Sequence, residues 1–151
     1  MTMVLLEWIP HENKLHWVGA GHEHIIHVKT LKGEVETIQS GGLAVGMLPD
    51  IEKFVQEKEL ILEPEDFIVL YSDGIVEAKN VAGELYTLAR LAKFLKEQVN
   101  TEVSTDTLFE KIAIDVGRFM EGQGQLDDMT LIVMKHTDKV DTKDHSTEWR
   151  G

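Results

Sequence analysis

Two short segments carry residues able to do chemistry. Asp66 to Glu77 reads DFIVLYSDGIVE, and Asp127-Asp128-Met129-Thr130 lies near the C-terminal end. Each joins an apolar run to carboxylates. Phe67-Ile68-Val69-Leu70-Tyr71 leads into Ser72-Asp73-Gly74, and Asp127-Asp128 leads into Met129-Thr130-Leu131-Ile132-Val133-Met134. A sheet holds the ends of its buried strands rigidly, and clusters of carboxylate oxygens suit hard ions such as Mg²⁺ or Mn²⁺. The chemistry these residues point to is metal-dependent hydrolysis at strand ends. Taken alone, Asp73-Gly74 is also an ordinary turn, and Asp127-Asp128 is also an ordinary solvated loop or cap.

A second set of possible ligands is histidine. His11, His16, His22, His24 and His27 crowd the N-terminal region. His22 and His24 fall on one side of a regular strand, and with a third partner could bind zinc. The alternative is a hydrogen-bonded or solvated strand face, and no flanking geometry fixes the third ligand. The glycine-rich stretch Gly41 to Gly46 lacks the Lys-Ser/Thr ending of a P-loop, so it reads as a flap or connecting loop. No nucleophile elbow of the Ser/His/Asp hydrolases is present.

The elements that must position these residues follow from the pattern. Residues 2–9 and 15–20 read as strands around the turn Pro10-His11-Glu12-Asn13-Lys14, and His24 to Leu31 as a third. Val35 to Ile38 is a short strand after Lys32-Gly33-Glu34. Ser40 to Asp50 is a loop, and Phe54 to Leu62 one or two strands. Residues 67–71 form the strongest strand. The period then changes: Leu88, Leu91, Ala92, Leu95 and Val99 follow helical spacing, with Asn100 as a stop. Ser104-Thr105-Asp106-Thr107 offers several N-caps, and Thr107 with Glu110 a capping box, for a second helix with the stripe Leu108, Ile112, Val116, Phe119 and Met120. Gly122 and Gly124 end it, and residues 129–135 make the last strand. Short connections between strands favour antiparallel pairing, so the fold class is α+β.

Composition narrows the function. At 151 residues, 42% hydrophobic and 28% charged, the chain fits one soluble domain with a real core. The absence of cysteine removes disulfides, thiolate zinc sites and cysteine nucleophiles. A net charge of −12 argues against nucleic acid or anionic membrane as partner, and it repels phosphorylated substrates unless metal ions reverse the local sign. No run approaches the roughly 20 apolar residues of a membrane span. MTMVLLEWIP lacks the basic flank of a signal peptide, so a cytoplasmic location is expected.

Four segments in order, Gly19-Ala20-Gly21-His22, Gly41-Gly42-Leu43-Ala44-Val45-Gly46, Asp66 to Ala78 and Gln125-Leu126-Asp127-Asp128-Met129-Thr130, resemble the SpoIIE-type branch of the PPM, or protein phosphatase 2C-like, serine/threonine phosphatases. The resemblance covers roughly residues 2–136, leaving 137–151 as a polar tail. It implies an antiparallel β-sandwich flanked by helices and a substrate phosphorylated on serine or threonine, such as an anti-sigma-factor antagonist. It also implies Mn²⁺ or Mg²⁺, with Asp73 and Asp127 as ligands, Asp128 in support and Gly74 beside the site. The family's Asp-x-x-Gly-His-Gly segment, whose Asp bridges two metals, is not found in this sequence. The expectation is therefore a domain truncated at its N-terminal side, holding at most one ion weakly. A non-catalytic binding or regulatory module of the same fold is the alternative. Apolar surface left uncovered by truncation would promote homodimerisation. Two smaller departures are Glu65, where the family usually has Gly before Asp66-Phe67, and Tyr86-Thr87 in place of an aromatic-Gly pair.

Overall fold

A computed structural model describes residues 1–48, 50, 52–124 and 127–137. Seven strands form two antiparallel sheets. The first contains β1 (Met3–Ile9), β2 (Lys14–Ala20) and β5 (Glu57–Ile61) in the order β1-β2-β5. The second contains β3 (Ile25–Lys29), β4 (Glu34–Ile38), β6 (Phe67–Tyr71) and β7 (Leu131–Lys135) in the order β4-β3-β6-β7. Three helices follow β6: the short α1 (Asp73–Val76), α2 (Leu88–Gln98) and α3 (Thr105–Met120). Helix α2 packs on β3 and β4, and α3 on β7. This is the α+β class expected from the short connections between strands, and the antiparallel sandwich with helices that the resemblance implies. Among the described residues no helix is long and apolar enough to cross a membrane.

β6 explains the layering. All five of its side chains are buried, as expected of a strand covered on both faces and therefore apolar without alternation. Its period of two divides them. Phe67, Val69 and Tyr71 join Ile26, Val28, Leu91, Leu95, Leu108 and Ile112 in a core beneath the helices. Ile68 and Leu70 join Leu15, Trp17, Ile25 and Leu62 in a core between the sheets. Burying the five stabilises β6 by about 1.5–3 kcal/mol per side chain.

Of the N-caps offered by residues 104–107, Ser104 is the one used for α3, three residues before the Thr107–Glu110 box: Ser104 Oγ accepts from Thr107 N at 3.1 Å. Ser104 therefore competes better as N-cap, since its hydroxyl also contacts Thr107 Oγ1. The stripe Leu108, Ile112, Val116 and Met120 is buried as its spacing requires. The last strand begins at Leu131 rather than Met129, because the Thr130 amide donates to the Ser72 hydroxyl instead of to a backbone carbonyl of the ladder. The strand anticipated over His24 to Leu31 covers Ile25–Lys29, then closes in a 3₁₀ turn with Gly33 at φ +64°. The Gly41–Gly46 stretch connects the two sheets and lies against β2. Gly21 N donates to Gly41 O at 3.2 Å, and a Cβ on Gly42 would overlap the Gly19 carbonyl. The tail beyond residue 137 lies outside the described residues.

Both departures from the family's glycines fall where glycine is conformationally favoured. Glu65 has φ +73°, and Thr87 has φ +70° with ψ 149°. The second pair is strained for a β-branched residue. Thr87 remains useful in part, since its Oγ1 accepts from Arg90 N at 3.3 Å and caps α2.

Asp66 anchors the start of β6. It is buried, and its carboxylate accepts from Thr30 N at 3.2 Å, Glu63 N at 3.0 Å and His27 Nε2 at 2.8 Å. A buried carboxylate requires such partners. On the helix side, buried Tyr86 donates to Asp115 Oδ2 at 2.7 Å. Burial, followed by that bond, raises the Tyr86 pKa well above the usual phenol value. Asp66→Ala should lower stability by about 3 kcal/mol in urea unfolding, because three donors lose their acceptor. Thr87→Gly should instead raise it by about 1 kcal/mol, since relief of a glycine-only conformation exceeds the few tenths lost at the cap. Destabilisation by Thr87→Gly would contradict the strain argument.

Candidate active site

The two carboxylate segments meet at the adjoining ends of β6 and β7. The strands pair from Phe67↔Lys135 to Tyr71↔Leu131, so one further step brings Ser72 opposite Thr130. Ser72 N donates to Thr130 O at 3.0 Å, and Thr130 N donates to Ser72 Oγ at 2.9 Å. Ser72 Oγ in turn donates to Asp128 O at 2.9 Å. The chain then enters α1, with Ser72 in the N-cap position and Asp73 as the first helical residue. The expected Ser-Asp-Gly turn is thus a helix start. Ser72 itself makes no side-chain cap, because its hydroxyl is already engaged across the strand ends.

Asp73 and Asp127 are both exposed. Each turns an oxygen onto the amide that follows it: Gly74 N donates to Asp73 Oδ1 at 2.9 Å, and Asp128 N to Asp127 Oδ1 at 2.7 Å. Asp128 joins the two segments through its backbone, accepting from Ser72 with its carbonyl and donating to Asp127 with its amide. Gly74 is buried, and its missing side chain is a packing requirement. A Cβ there would lie 2.5 Å from Asp128 O and 3.4 Å from Asp127 O.

A small cavity of about 90 Å³ opens beside Asp127, lined by Gly74, Glu77, Lys79, Met120 and Met129 among others. A larger cleft of about 570 Å³, lined by Trp8, Leu15, Leu62, Ile68, Met134 and His136 among others, is apolar and shares no lining residue with the first. Of the aspartates named from the sequence, Asp127 lines the smaller cavity.

The structure places the 72–74 and 127–130 segments side by side, Ser72 bonding to Asp128 and Thr130 and Gly74 abutting the Asp128 carbonyl. Ser72, Glu77 and Lys79 were not singled out in the sequence. Ser72 was hidden because a serine beside an Asp-Gly pair signals only a turn. Lys79 and Glu77 reach the cavity because α1 turns the chain back, and a four-residue helix has too little periodicity to announce itself. Among the described residues, no three His, Asp or Glu side chains are grouped to hold a metal. The histidines do not form the zinc site considered above: His16 faces Glu59 at 3.3 Å, and His27 is buried against Asp66.

Comparison with known proteins gives a consistent set of likenesses. The sequence profile of Stage II sporulation protein E (SpoIIE) matches residues 1–137. Protein IcfG of Synechocystis sp. (strain ATCC 27184 / PCC 6803 / Kazusa) is 28% identical over 120 residues, spanning 80% of this chain and 18% of IcfG. The phosphatase domain of the cell fate determinant SpoIIE from Bacillus subtilis, presoaked with Mn, superposes with a TM-score of 0.70 at 19% identity. That match covers 92% of this chain and 57% of the other. The SiaA-PP2C domain of Pseudomonas aeruginosa gives a TM-score of 0.73 at 18% identity, covering 87% of this chain and 50% of that one. The chain spans about half the length of these solved domains.

Gly74→Ala tests the close approach of the two segments. The added methyl should displace residues 127–128 and lower stability by about 1–3 kcal/mol. Thermal melting measures the loss; an unchanged melting temperature would show that the segments are not held in contact.

Proposed function

This chain belongs to the Stage II sporulation protein E (SpoIIE) family and has the fold of a PP2C-type phosphatase domain, and on that premise we propose that it supplies part of a metal-dependent protein serine/threonine phosphatase site. Asp73 and Asp127 are the ligands in this reading, Asp128 supports them, and Gly74 permits their approach. The observation that carries it is the joining of Ser72 to both Asp128 and Thr130, which unites the two carboxylate segments. The donor set fits a hard ion, Mn²⁺ or Mg²⁺, whose shell is completed by water. When bound, such an ion supplies positive charge against a phosphoryl group and makes water more acidic.

The chain's own residues bind and orient. The amides of Gly74 and Asp128 fix one oxygen of each carboxylate, so little rearrangement is needed on ion binding. The substrate in this reading is a phosphoserine or phosphothreonine on a cytoplasmic signalling protein such as an anti-sigma-factor antagonist. With a net charge of −12, approach of the phosphorylated segment depends on the cation. Met3, Leu5 and Ile61 are exposed on the three-stranded sheet, and they support self-association as a homodimer.

A second reading is a binding or regulatory module without turnover. It is favoured by the absence, among the described residues, of any group of three metal-ligating side chains. Two-ion phosphoester hydrolysis requires more oxygen ligands than Asp73 and Asp127 provide.

Mn²⁺ titration by calorimetry separates these possibilities. The wild-type chain should bind at most one ion weakly, and Asp73→Asn or Asp127→Asn should weaken binding at least about 10-fold. Equal Mn²⁺ binding by all three proteins would remove the carboxylate site. A phosphoserine peptide should be hydrolysed at background rate by the 151 residues alone; robust Mn²⁺-dependent turnover would show that no bridging carboxylate beyond this sequence is needed.

A further inference from the structure

We propose that Ser72 is a positioning residue for the metal site, and this rests on the reading of Asp73 and Asp127 as ligands. Its hydroxyl has one hydrogen to donate and lone pairs to accept. Here the hydroxyl donates to Asp128 O and accepts from Thr130 N, both at 2.9 Å. The Ser72 main chain adds a third bond, to Thr130 O at 3.0 Å. One side chain thus spans the residues on either side of Met129, while its own successor in the chain is Asp73. Asp128 and Asp73 are the immediate neighbours of the atoms that Ser72 ties together.

No regular ladder could do this. The β6–β7 pairing ends at Tyr71↔Leu131, and α1 begins at Asp73. Between these points the chain turns out of the sheet, and the Ser72 hydroxyl ties the 127–130 segment to the start of α1 where Met129 packs against the core. The contact of Gly74 with Asp128 O limits how closely the segments approach. The hydroxyl limits how far they separate. Together they set how the backbone beside Asp73 and Asp127 is placed, the two residues that would hold an ion.

This role requires a hydroxyl on the β-carbon, and threonine also supplies one. Valine has the shape of threonine without the donor or acceptor. The experiment therefore compares Ser72→Thr with Ser72→Val in the 151-residue chain. In the metal-free protein, amide exchange at Thr130 should be at least about 10-fold faster in Ser72→Val, because that N–H loses its acceptor. Mn²⁺ alone is then titrated while amide signals are followed for paramagnetic broadening. Wild type and Ser72→Thr should broaden around residues 73–74 and 127–128 together. Ser72→Val should require about 10-fold more Mn²⁺, the usual effect of removing a support for a metal ligand, while cooperative melting is retained. Equal Mn²⁺ midpoints for the Thr and Val variants overturn the positioning role alone. A wild-type chain without broadening at either segment overturns the metal-site reading beneath it.

Discussion

The antiparallel pairing of β6 with β7 is the constraint on which the rest of the site depends. It joins residues more than fifty positions apart in sequence, with α1, α2 and α3 between them. Closing so long a loop costs little more than closing one of half the length, because the entropy grows only logarithmically. What determines the register is side-chain burial. A slip of one residue would move Phe67, Val69 and Tyr71 from the helix side to the inter-sheet side. It would also remove Ser72 from Thr130. The same alternation that sorts the two cores therefore fixes which residues meet at the strand ends.

Magnitudes separate what holds β6 from what aims it. Burial of its five side chains contributes several times more than the hydrogen bonds at its ends, each of which nets about 1 kcal/mol. The polar contacts act through direction. At the start of the strand Asp66 gathers Thr30, Glu63 and His27. At its end Ser72 gathers Asp128 and Thr130. An apolar strand could remain buried without either cluster, yet its ends would be less well defined, and the chemistry proposed for this fold lies at an end.

Much of this was legible in the sequence because it follows from period and burial. The run 67–71 is apolar throughout, and the stripes Leu91–Leu95 and Leu108–Met120 have helical spacing. The two aspartate segments could be named because they adjoin apolar runs that had to be strands. The hydroxyl of Ser72 was not legible, since its partners come from a distant strand and its local signal is that of any turn. Glu65 and Thr87 were visible as departures from a glycine, but their meaning emerged only with their positive φ. The histidines were misleading for a related reason. Spacing places residues on a face, but the cross-strand neighbours, Glu59 for His16 and Ile68 for His27, determine what each side chain meets.

The site's electrostatics explain how the same geometry could serve either an enzyme or a binding module. Asp73, Asp127, Asp128 and Glu77 concentrate negative charge on an already acidic chain. Asp73 and Asp127 are exposed, where water screens them, and each accepts a hydrogen bond from the amide next to it. On the proposed reading these backbone amides help to orient each carboxylate before an ion arrives. Affinity for a first cation depends on that orientation. Turnover depends on something further, the number of oxygen ligands available to hold a second ion and to align an in-line attack. On the proposed reading, ion binding and hydrolysis are separable: the β6–β7 junction would supply the first, and further oxygen ligands would be needed for the second.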